Sequence, residues 1–232
     1  TLGFRLAKKL IDEGRIGELF FVESEYAHDC SKITGIGNWR MDPVRVREPF
    51  LGGGCHPVDL LRWIAGNPYE VSAYSNRKVL TNWPVDDCTI AIFRFPGNVT
   101  GKAFVSIGCK REYRSEEHTS ELHTMRSVFY GDRGTIIADN TTPHITLYKS
   151  EISTRESYFE NIQDQVVAMR LPVELNSHNA GAEIDEFTQC ILEDRPVPAD
   201  GKEGAATVTV CLSAVKSAKN NEKVTIDYQL DI

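Results

Sequence analysis

The spacing of apolar residues along the chain predicts four helices. The apolar positions at helical spacing are Phe4, Ala7, Leu10 and Ile11; Leu60, Leu61 and Ile64; Ile184, Phe187 and Ile191; and Val208, Cys211, Val215 and Ala218. Each set would form the buried stripe of an amphipathic helix. Glycine commonly ends helices, so we place two helix ends at Gly14 and Gly66. Pro57 suits the first position of the second helix, and Asp59 could cap its first turn.

Alternating or continuous apolar runs predict strands between these helices. The predicted strands are residues 18–26, 71–80, 87–95, 99–107, 127–130, 135–139, 145–149 and 223–228. Pro96 and Gly97 predict a type II turn that joins two of them into a hairpin. Residues 27–50 have no clean period and are expected to form a long ordered loop. Together these elements favour an α+β fold: one large, mostly antiparallel sheet with helices on one face.

Composition excludes several classes of function. Lys and Arg number 26 against 33 Asp and Glu, a net charge of −7, so no excess positive charge is available for binding nucleic acid. No apolar run approaches the 18 or so residues that span a membrane. The six cysteines are scattered without a C-x-x-C pair, which favours reduced thiols in a cytoplasmic protein and argues against a metal site.

The strongest candidate for chemistry is the segment GGGCHPVD at residues 52–59. It places His56 at the start of the predicted helix, where the positive end of the helix dipole disfavours the imidazolium form. A neutral imidazole there is a plausible general base towards a substrate hydroxyl. A histidine that only caps the helix fits the same residues, and both interpretations remain open. The three glycines lack the G-x-G-x-x-G spacing of a dinucleotide-binding loop.

Four segments, one of which extends this candidate, follow one another along the chain. They are GNWRMDP at 37–43, GGGCHPVDLLRWIAG at 52–66, YGDRGTI at 130–136 and EIDEFTQCILEDRPVPADGKEGAATV at 183–208. Together they resemble the C-terminal domain of the glucose–fructose oxidoreductase/inositol dehydrogenase (Gfo/Idh/MocA) family. The resemblance implies a glyceraldehyde-3-phosphate-dehydrogenase-like sheet domain over residues 1–232 that binds substrate and mediates oligomerisation. In the family this domain follows a Rossmann domain that binds NAD or NADP, and residues 1–14 resemble the helix that connects the two.

The resemblance also implies roles for individual residues. His56 matches the family's catalytic histidine, which accepts the proton of the substrate hydroxyl. The residues that the resemblance places at the substrate are Tyr26, Trp39, Arg40, Asp59 and His178. A helix cap explains Asp59 equally well, and a surface position explains His178. Many family members have an aspartate four residues before the histidine, but Gly52 is found here, so a relay through that carboxylate is absent or supplied elsewhere.

The main interpretation is therefore the substrate and oligomerisation half of an NAD(P)-dependent oxidoreductase that acts on a sugar, polyol or related hydroxyl compound. The family's nucleotide-binding glycines are not in this sequence, so the chain alone is expected to be inactive. Two alternatives remain: an NAD-dependent glycoside hydrolase of the same family, and a non-catalytic binding or assembly domain. A G-x-G-x-x-G fingerprint in the upstream sequence would support either enzyme, and its absence would favour a binding or assembly domain.

The sheet face without helices is expected to form a homo-oligomer interface. Val99, Ala103, Val105 and Ile107 leave little polar surface on one side of their strand. Dimers or tetramers formed through this sheet are also what the family resemblance implies.

Residues 114–123, RSEEHTSELH, interrupt a passage that otherwise has the pattern of a strand. The segment is almost entirely polar and resembles the translation of a sequencing-library adapter, so we interpret it as an insert or an assembly artefact. A metal site formed by His118 and His123 is disfavoured, because no cysteine or carboxylate pattern supports the pair. Deleting residues 114–123 is expected to leave the free energy of unfolding unchanged or raised. A loss above about 2 kcal/mol in denaturant unfolding would contradict this interpretation.

Overall fold

A nine-stranded sheet forms the body of the protein in a computed structural model that describes residues 1–109, 123–150, 166–175 and 180–229. The helices are α1 (Leu2–Asp12), α2 (Pro49–Gly52), α3 (Cys55–Ala65), α4 (Ala180–Leu192) and α5 (Gly201–Asn220). The strands are β1 (Leu19–His28), β2 (Glu70–Asn76), β3 (Cys88–Arg94), β4 (Thr100–Ser106), β5 (His123–Gly131), β6 (Gly134–Asp139), β7 (His144–Ser150), β8 (Val166–Pro172) and β9 (Val224–Thr225).

The strand order is β8-β7-β6-β5-β1-β4-β3-β2-β9. Neighbouring strands are antiparallel except β1 and β4, which are parallel. The predicted α+β fold with a large, mostly antiparallel sheet is confirmed. Strand β1 lies at the centre of the order, where Tyr26 is paired with Val105 of β4 and Met125 of β5.

Helices α1, α3 and α5 cover one face of the sheet and form the main core with it. Alternate residues of the strands point to this face, since side chains of a strand alternate between its two sides. The core residues with almost no exposed surface include Val22, Phe50, Leu61, Val71, Phe93, Val105, Phe129 and Ile136. Burial of these side chains fixes α3 across β1 and β4, so the first turn of α3 lies beside the C-terminal end of β1.

The residues chosen to identify an oligomer interface are buried within the chain. Ala103 and Val105 face the helices, and Val99 belongs to the same core. Ile107 lies in a second, smaller core with Trp83. None of these four residues lies on the uncovered face, so the prediction that they form the interface is wrong. The apolar side chains that are exposed on the uncovered face lie on other strand positions, namely Tyr74, Ile90 and Ile92.

Helix α3 begins two residues earlier than predicted, at Cys55. Pro57 is tolerated inside the first turn, because the amide groups of that turn have no acceptor within the helix. Asp59 does not cap the helix. Gly53 and Gly54 form the turn between α2 and α3, and a Cβ at Gly54 would clash with the carbonyl oxygen of Phe50.

The predicted apolar stripe of α4 is not buried. Ile184, Phe187 and Ile191 are 65%, 55% and 64% exposed, and Cys190 is the buried residue of this helix. The helical spacing of these residues correctly predicts a helix, but it does not show which part of the protein packs against the apolar side. In α5 Cys211 is buried as predicted, but the buried side is rotated by about one residue, because Val210 and Ala214 are buried while Val208 is exposed.

Among the strands, β8 was missed, and the predicted strand at 223–228 is only two residues long. The hairpin of β3 and β4 is confirmed, but both Gly97 and Asn98 take positive φ in its turn, where a type II turn needs only one such residue.

The predicted loop at 27–50 contains a short 3-10 helix, Ile36–Met41. Of the polar segment 114–123, residues 114–122 lie outside the described residues, and His123 is the first residue of β5. None of the described helices is long and apolar enough to cross a membrane.

Candidate active site

Three imidazole rings surround Tyr26 at the C-terminal end of β1. The Tyr26 ring is stacked between His56 and His123, with ring centroids 5.3 Å and 5.2 Å away and planes within 24° and 23° of parallel. His28 meets Tyr26 edge-on at 6.0 Å and His123 at 5.9 Å. We call Tyr26, His28, His56 and His123 the aromatic cluster. Aromatic contacts at these separations hold rings in fixed orientations.

Sequence position explains how these four residues meet. Tyr26 and His28 are two residues apart on β1, so they lie on the same side of the sheet. His123 is paired with His28 across β1 and β5, which places it diagonally opposite Tyr26. His56 is the second residue of α3 and is exposed, so its imidazole remains accessible to a ligand.

Gly53 allows the joint between α2 and α3 to contact the Tyr26 ring. A Cβ at this position would lie 2.9 Å from Tyr26 Cε1, which is closer than such contacts occur. Gly54 is equally constrained by the backbone of Phe50. These two glycines therefore allow close packing within the chain, and the segment does not form a phosphate-binding loop.

Burial shifts the pKa of two members of the cluster, Tyr26 and His28. Burial raises the pKa of Tyr26 to about 12, so its phenol keeps its proton at neutral pH and can donate a hydrogen bond. Burial, and then the positive charge of Arg40, lowers the pKa of His28, so this imidazole is neutral at pH 7.

A buried thiol completes the surroundings of His28. Cys30 Sγ lies 3.4 Å from His28 Nδ1. Burial raises the pKa of the Cys30 thiol to about 11, and it also raises the pKa of Cys55. Neither thiol is a thiolate at neutral pH, so the site does not provide a cysteine nucleophile.

Trp39 and Arg40, two of the predicted substrate-binding residues, lie on the 3-10 helix Ile36–Met41. The Arg40 guanidinium carbon lies 4.5 Å from the Trp39 ring centroid, and that of Arg47 lies 5.1 Å from it. The charge of Arg40 acts on both Tyr26 and His28. The structure thus brings Tyr26, His56 and Arg40 into one region of the molecule.

Asp59 has a different environment. Its carboxylate accepts a hydrogen bond from Thr207 Oγ1 at 2.8 Å and lies 3.7 Å from a guanidinium nitrogen of Arg62, so it joins α3 to α5. These contacts support a structural role for Asp59, and its contact with substrate stays a prediction. His178 lies outside the described residues.

Sequence reasoning missed His28 and His123 as members of the site. The alternation of β1 provides a signal for His28, because Tyr26 was already a candidate and the residue two positions further shares its side. Nothing local identifies His123, whose place depends on pairing between strands about 95 residues apart. No group of three or more His, Cys, Asp or Glu that could hold a metal ion occurs within the described ranges.

Comparison with known proteins identifies the family of this sheet domain. A sequence model of the GFO/IDH/MocA C-terminal domain matches residues 4–137, more than half of the chain. The chain therefore belongs to this family, and the family resemblance of the sequence is confirmed.

Several solved structures are similar to the chain. Levoglucosan dehydrogenase, solved with NADH and levoglucosan, is 17% identical with a TM-score of 0.75, over 97% of this chain and 63% of that protein. An oxidoreductase from Agrobacterium radiobacter, solved with NAD+, L-tartaric acid and magnesium, is 16% identical with a TM-score of 0.71, over 96% and 61%. An NAD-binding oxidoreductase from Klebsiella pneumoniae is 16% identical with a TM-score of 0.76, over 98% and 64%. The chain thus spans less than two thirds of the length of these proteins.

Proposed function

We propose that this chain is the substrate-binding half of an NAD(P)-dependent oxidoreductase that acts on a sugar, polyol or related hydroxyl compound. The observation that carries the proposal is the exposed His56 imidazole, held by stacking against Tyr26 at the start of α3. The solved structures with NADH and levoglucosan, and with NAD+ and L-tartaric acid, support a dinucleotide and a small polyhydroxy ligand.

The residues of the site have complementary roles in this proposal. The imidazole of His56 accepts the proton of a substrate hydroxyl. The phenol of Tyr26 donates a hydrogen bond to a substrate oxygen, because burial keeps it protonated. Stacking against both faces of Tyr26 keeps His56 and the phenol in a fixed relation, and such preorganisation reduces the entropy lost when substrate is positioned.

The described residues do not fit the pyrophosphate of a dinucleotide. Such a cradle needs a glycine-rich turn between a strand and a helix, with amide groups free to meet the phosphates. Gly53 and Gly54 instead pack against Tyr26 and Phe50. We therefore expect NAD or NADP to be held by a separate domain of the full-length protein, with the substrate held by this chain. A cytoplasmic, reducing environment suits its six free cysteines.

The proposal is tested by comparing the full-length protein with this chain alone. The full-length protein is expected to reduce NAD+ or NADP+ when supplied with a sugar or polyol. The chain alone is expected to reduce neither dinucleotide. Titration calorimetry of the isolated chain should detect no micromolar binding of either dinucleotide. Tight binding of NAD by the isolated chain, or release of an aryl alcohol from an aryl glycoside without net dinucleotide reduction, would contradict it.

We also propose that the uncovered face of the sheet joins two copies of the protein. Tyr74, Ile90 and Ile92 form a row of exposed apolar side chains on β2 and β3. Exposed apolar rows of this kind are typical of subunit interfaces. Light scattering at tens of micromolar protein is expected to show at least a dimer, and Ile92→Lys is expected to shift it towards monomer. A wild-type protein that is strictly monomeric would contradict the proposal.

A further inference from the structure

Two guanidinium groups lie over one indole ring beside the aromatic cluster. Arg40 and Arg47 approach the Trp39 ring at 4.5 Å and 5.1 Å. The turn that carries Trp39 is closed by two hydrogen bonds, from the Arg40 amide to the Thr34 carbonyl and from Thr34 Oγ1 to Asn38 Oδ1. Stacking on an indole fixes the plane of a guanidinium and leaves its edge available for a ligand.

Packing of the flanking residues places these guanidiniums near His28. Met41 and Val46, which are adjacent in sequence to the two arginines, pack against the small core that contains Cys30. The Cys30 thiol in turn contacts the Nδ1 atom of His28. The arginines are therefore tied to the same end of β1 that carries the aromatic cluster.

The electrostatic balance at this end of β1 is positive. Asp29 is the nearby carboxylate that opposes Arg40. At His28 and at Cys30 the lowering of the pKa by Arg40 outweighs the raising by Asp29. One Asp29 oxygen also accepts a hydrogen bond from the Ser31 amide. At Cys55 the order is reversed, because the raising of the pKa by Asp59 outweighs the lowering by Arg47, so the positive balance belongs to the surroundings of Arg40.

Arg40 and Arg47 differ from the other arginine of the same segment. Arg45 is paired with Asp42, with Nε to Oδ2 at 2.6 Å. Within the ranges that the structure describes, neither Arg40 nor Arg47 has a carboxylate within 4.0 Å. Placing a positive charge beside a binding site without a protein counter-ion is the arrangement that favours an anionic ligand.

We infer that the substrate is a polyhydroxy carboxylic acid, whose carboxylate pairs with the stacked guanidinium of Arg40 while one of its hydroxyl groups meets His56. This inference rests on the proposed function and narrows it to sugar acids. The planar fork of Arg40 can donate two parallel hydrogen bonds to a carboxylate, which a neutral alcohol group cannot accept in the same way. Arg47 strengthens the local positive charge from a more exposed position.

The test compares ligands that differ only in the carboxylate. D-Gluconate is matched with D-glucitol, and D-glucuronate with D-glucose. Binding to the full-length protein is measured by calorimetry without dinucleotide, so that it does not depend on turnover. At least one acid is expected to bind about tenfold or more tightly than its neutral partner, and added salt should weaken this preference.

Variants then assign the preference to Arg40. Arg40→Met is expected to weaken binding of the acid about 10- to 100-fold and to change binding of the neutral partner by less than about twofold. Arg40→Lys keeps the positive charge but lacks the planar fork. It should therefore bind the acid less tightly than the wild type and more tightly than Arg40→Met. Arg45→Met, in the same segment but already paired with Asp42, should bind like the wild type.

The outcomes separate this inference from the proposed function. Equal binding of acid and neutral partner by the wild type, including no binding of either at about 10 mM, overturns the inference whether or not the variants fold. Equal losses for both ligands in Arg40→Met also overturn it. If neutral polyols drive dinucleotide reduction without any preference for acids, the proposed function stands and the inference fails. If acids bind preferentially but no hydroxyl compound supports dinucleotide reduction, the proposed oxidoreductase activity is what fails.

Discussion

Replacing His56 by alanine is expected to lower kcat of the full-length protein by about 10²- to 10⁴-fold, the range that a positioned general base contributes. The variant loses the exposed imidazole of the proposed base, while the phenol of Tyr26 and the Arg40 guanidinium over Trp39 remain. Binding of substrate and dinucleotide should therefore change much less than kcat, and initial-rate kinetics separate the two effects.

A histidine elsewhere on the sheet provides the control. His144 begins β7, three strands away from β1 in the sheet order, and His144→Ala should leave kcat unchanged. Circular dichroism should show native folding for both variants. A fall in kcat of less than about threefold in His56→Ala would reduce this residue to a packing partner of Tyr26.

Replacing Arg62 by methionine is expected to lower the free energy of unfolding by about 2–4 kcal/mol, because four hydrogen bonds lose the buried guanidinium that donates them. The Arg62 side chain is nearly inaccessible. It donates to Asn67 Oδ1 at 2.9 Å, to the Glu203 carbonyl at 3.0 Å, to Glu203 Oε2 at 2.9 Å and to Thr207 Oγ1 at 2.6 Å. These bonds join α3, and with it His56, to α5. Urea unfolding followed by circular dichroism measures the change.

An exposed arginine on the sheet gives the matched control. Arg94 forms an ion pair with Glu70 at 3.3 Å on the uncovered face, and exposed pairs contribute about 0–1 kcal/mol. Arg94→Met should therefore cost less than about 1 kcal/mol. If Arg62→Met were no more costly than Arg94→Met, the buried hydrogen bonds between α3 and α5 would not be what stabilises their packing.

Local pattern was sufficient for most of the individual elements, because period and turn residues depend on near neighbours. The first helix and the hairpin of β3 and β4 were predicted in this way. Pairing between distant segments could not be read from the sequence. The parallel contact of β1 with β4 joins residues about 80 positions apart, and it sets which side of β4 is buried. This is why Ala103 and Val105 were placed on the wrong face.

The same limit applies to the site. His56 stood out through its place at a helix start, and Tyr26 and Arg40 through the family resemblance. His123 depends on strand register, and the role of Asp59 depends on a contact with α5 that its own helix does not reveal. The apolar stripe of α4 shows the corresponding limit for packing, since the spacing of Ile184 and Phe187 marks an apolar side without identifying what contacts it.

The most direct test of the proposed chemistry is the pH dependence of kcat/KM for a hydroxyl substrate, measured as dinucleotide reduction by the full-length protein and by its His56→Ala variant. A general base must be unprotonated to accept the hydroxyl proton, so wild-type kcat/KM should fall as pH decreases and the His56 imidazole becomes protonated. The residual activity of His56→Ala should lack this fall. An identical acidic limb in wild type and variant, or a wild-type protein that reduces no dinucleotide with any hydroxyl compound, would contradict the assignment of His56 as the base of an oxidoreductase.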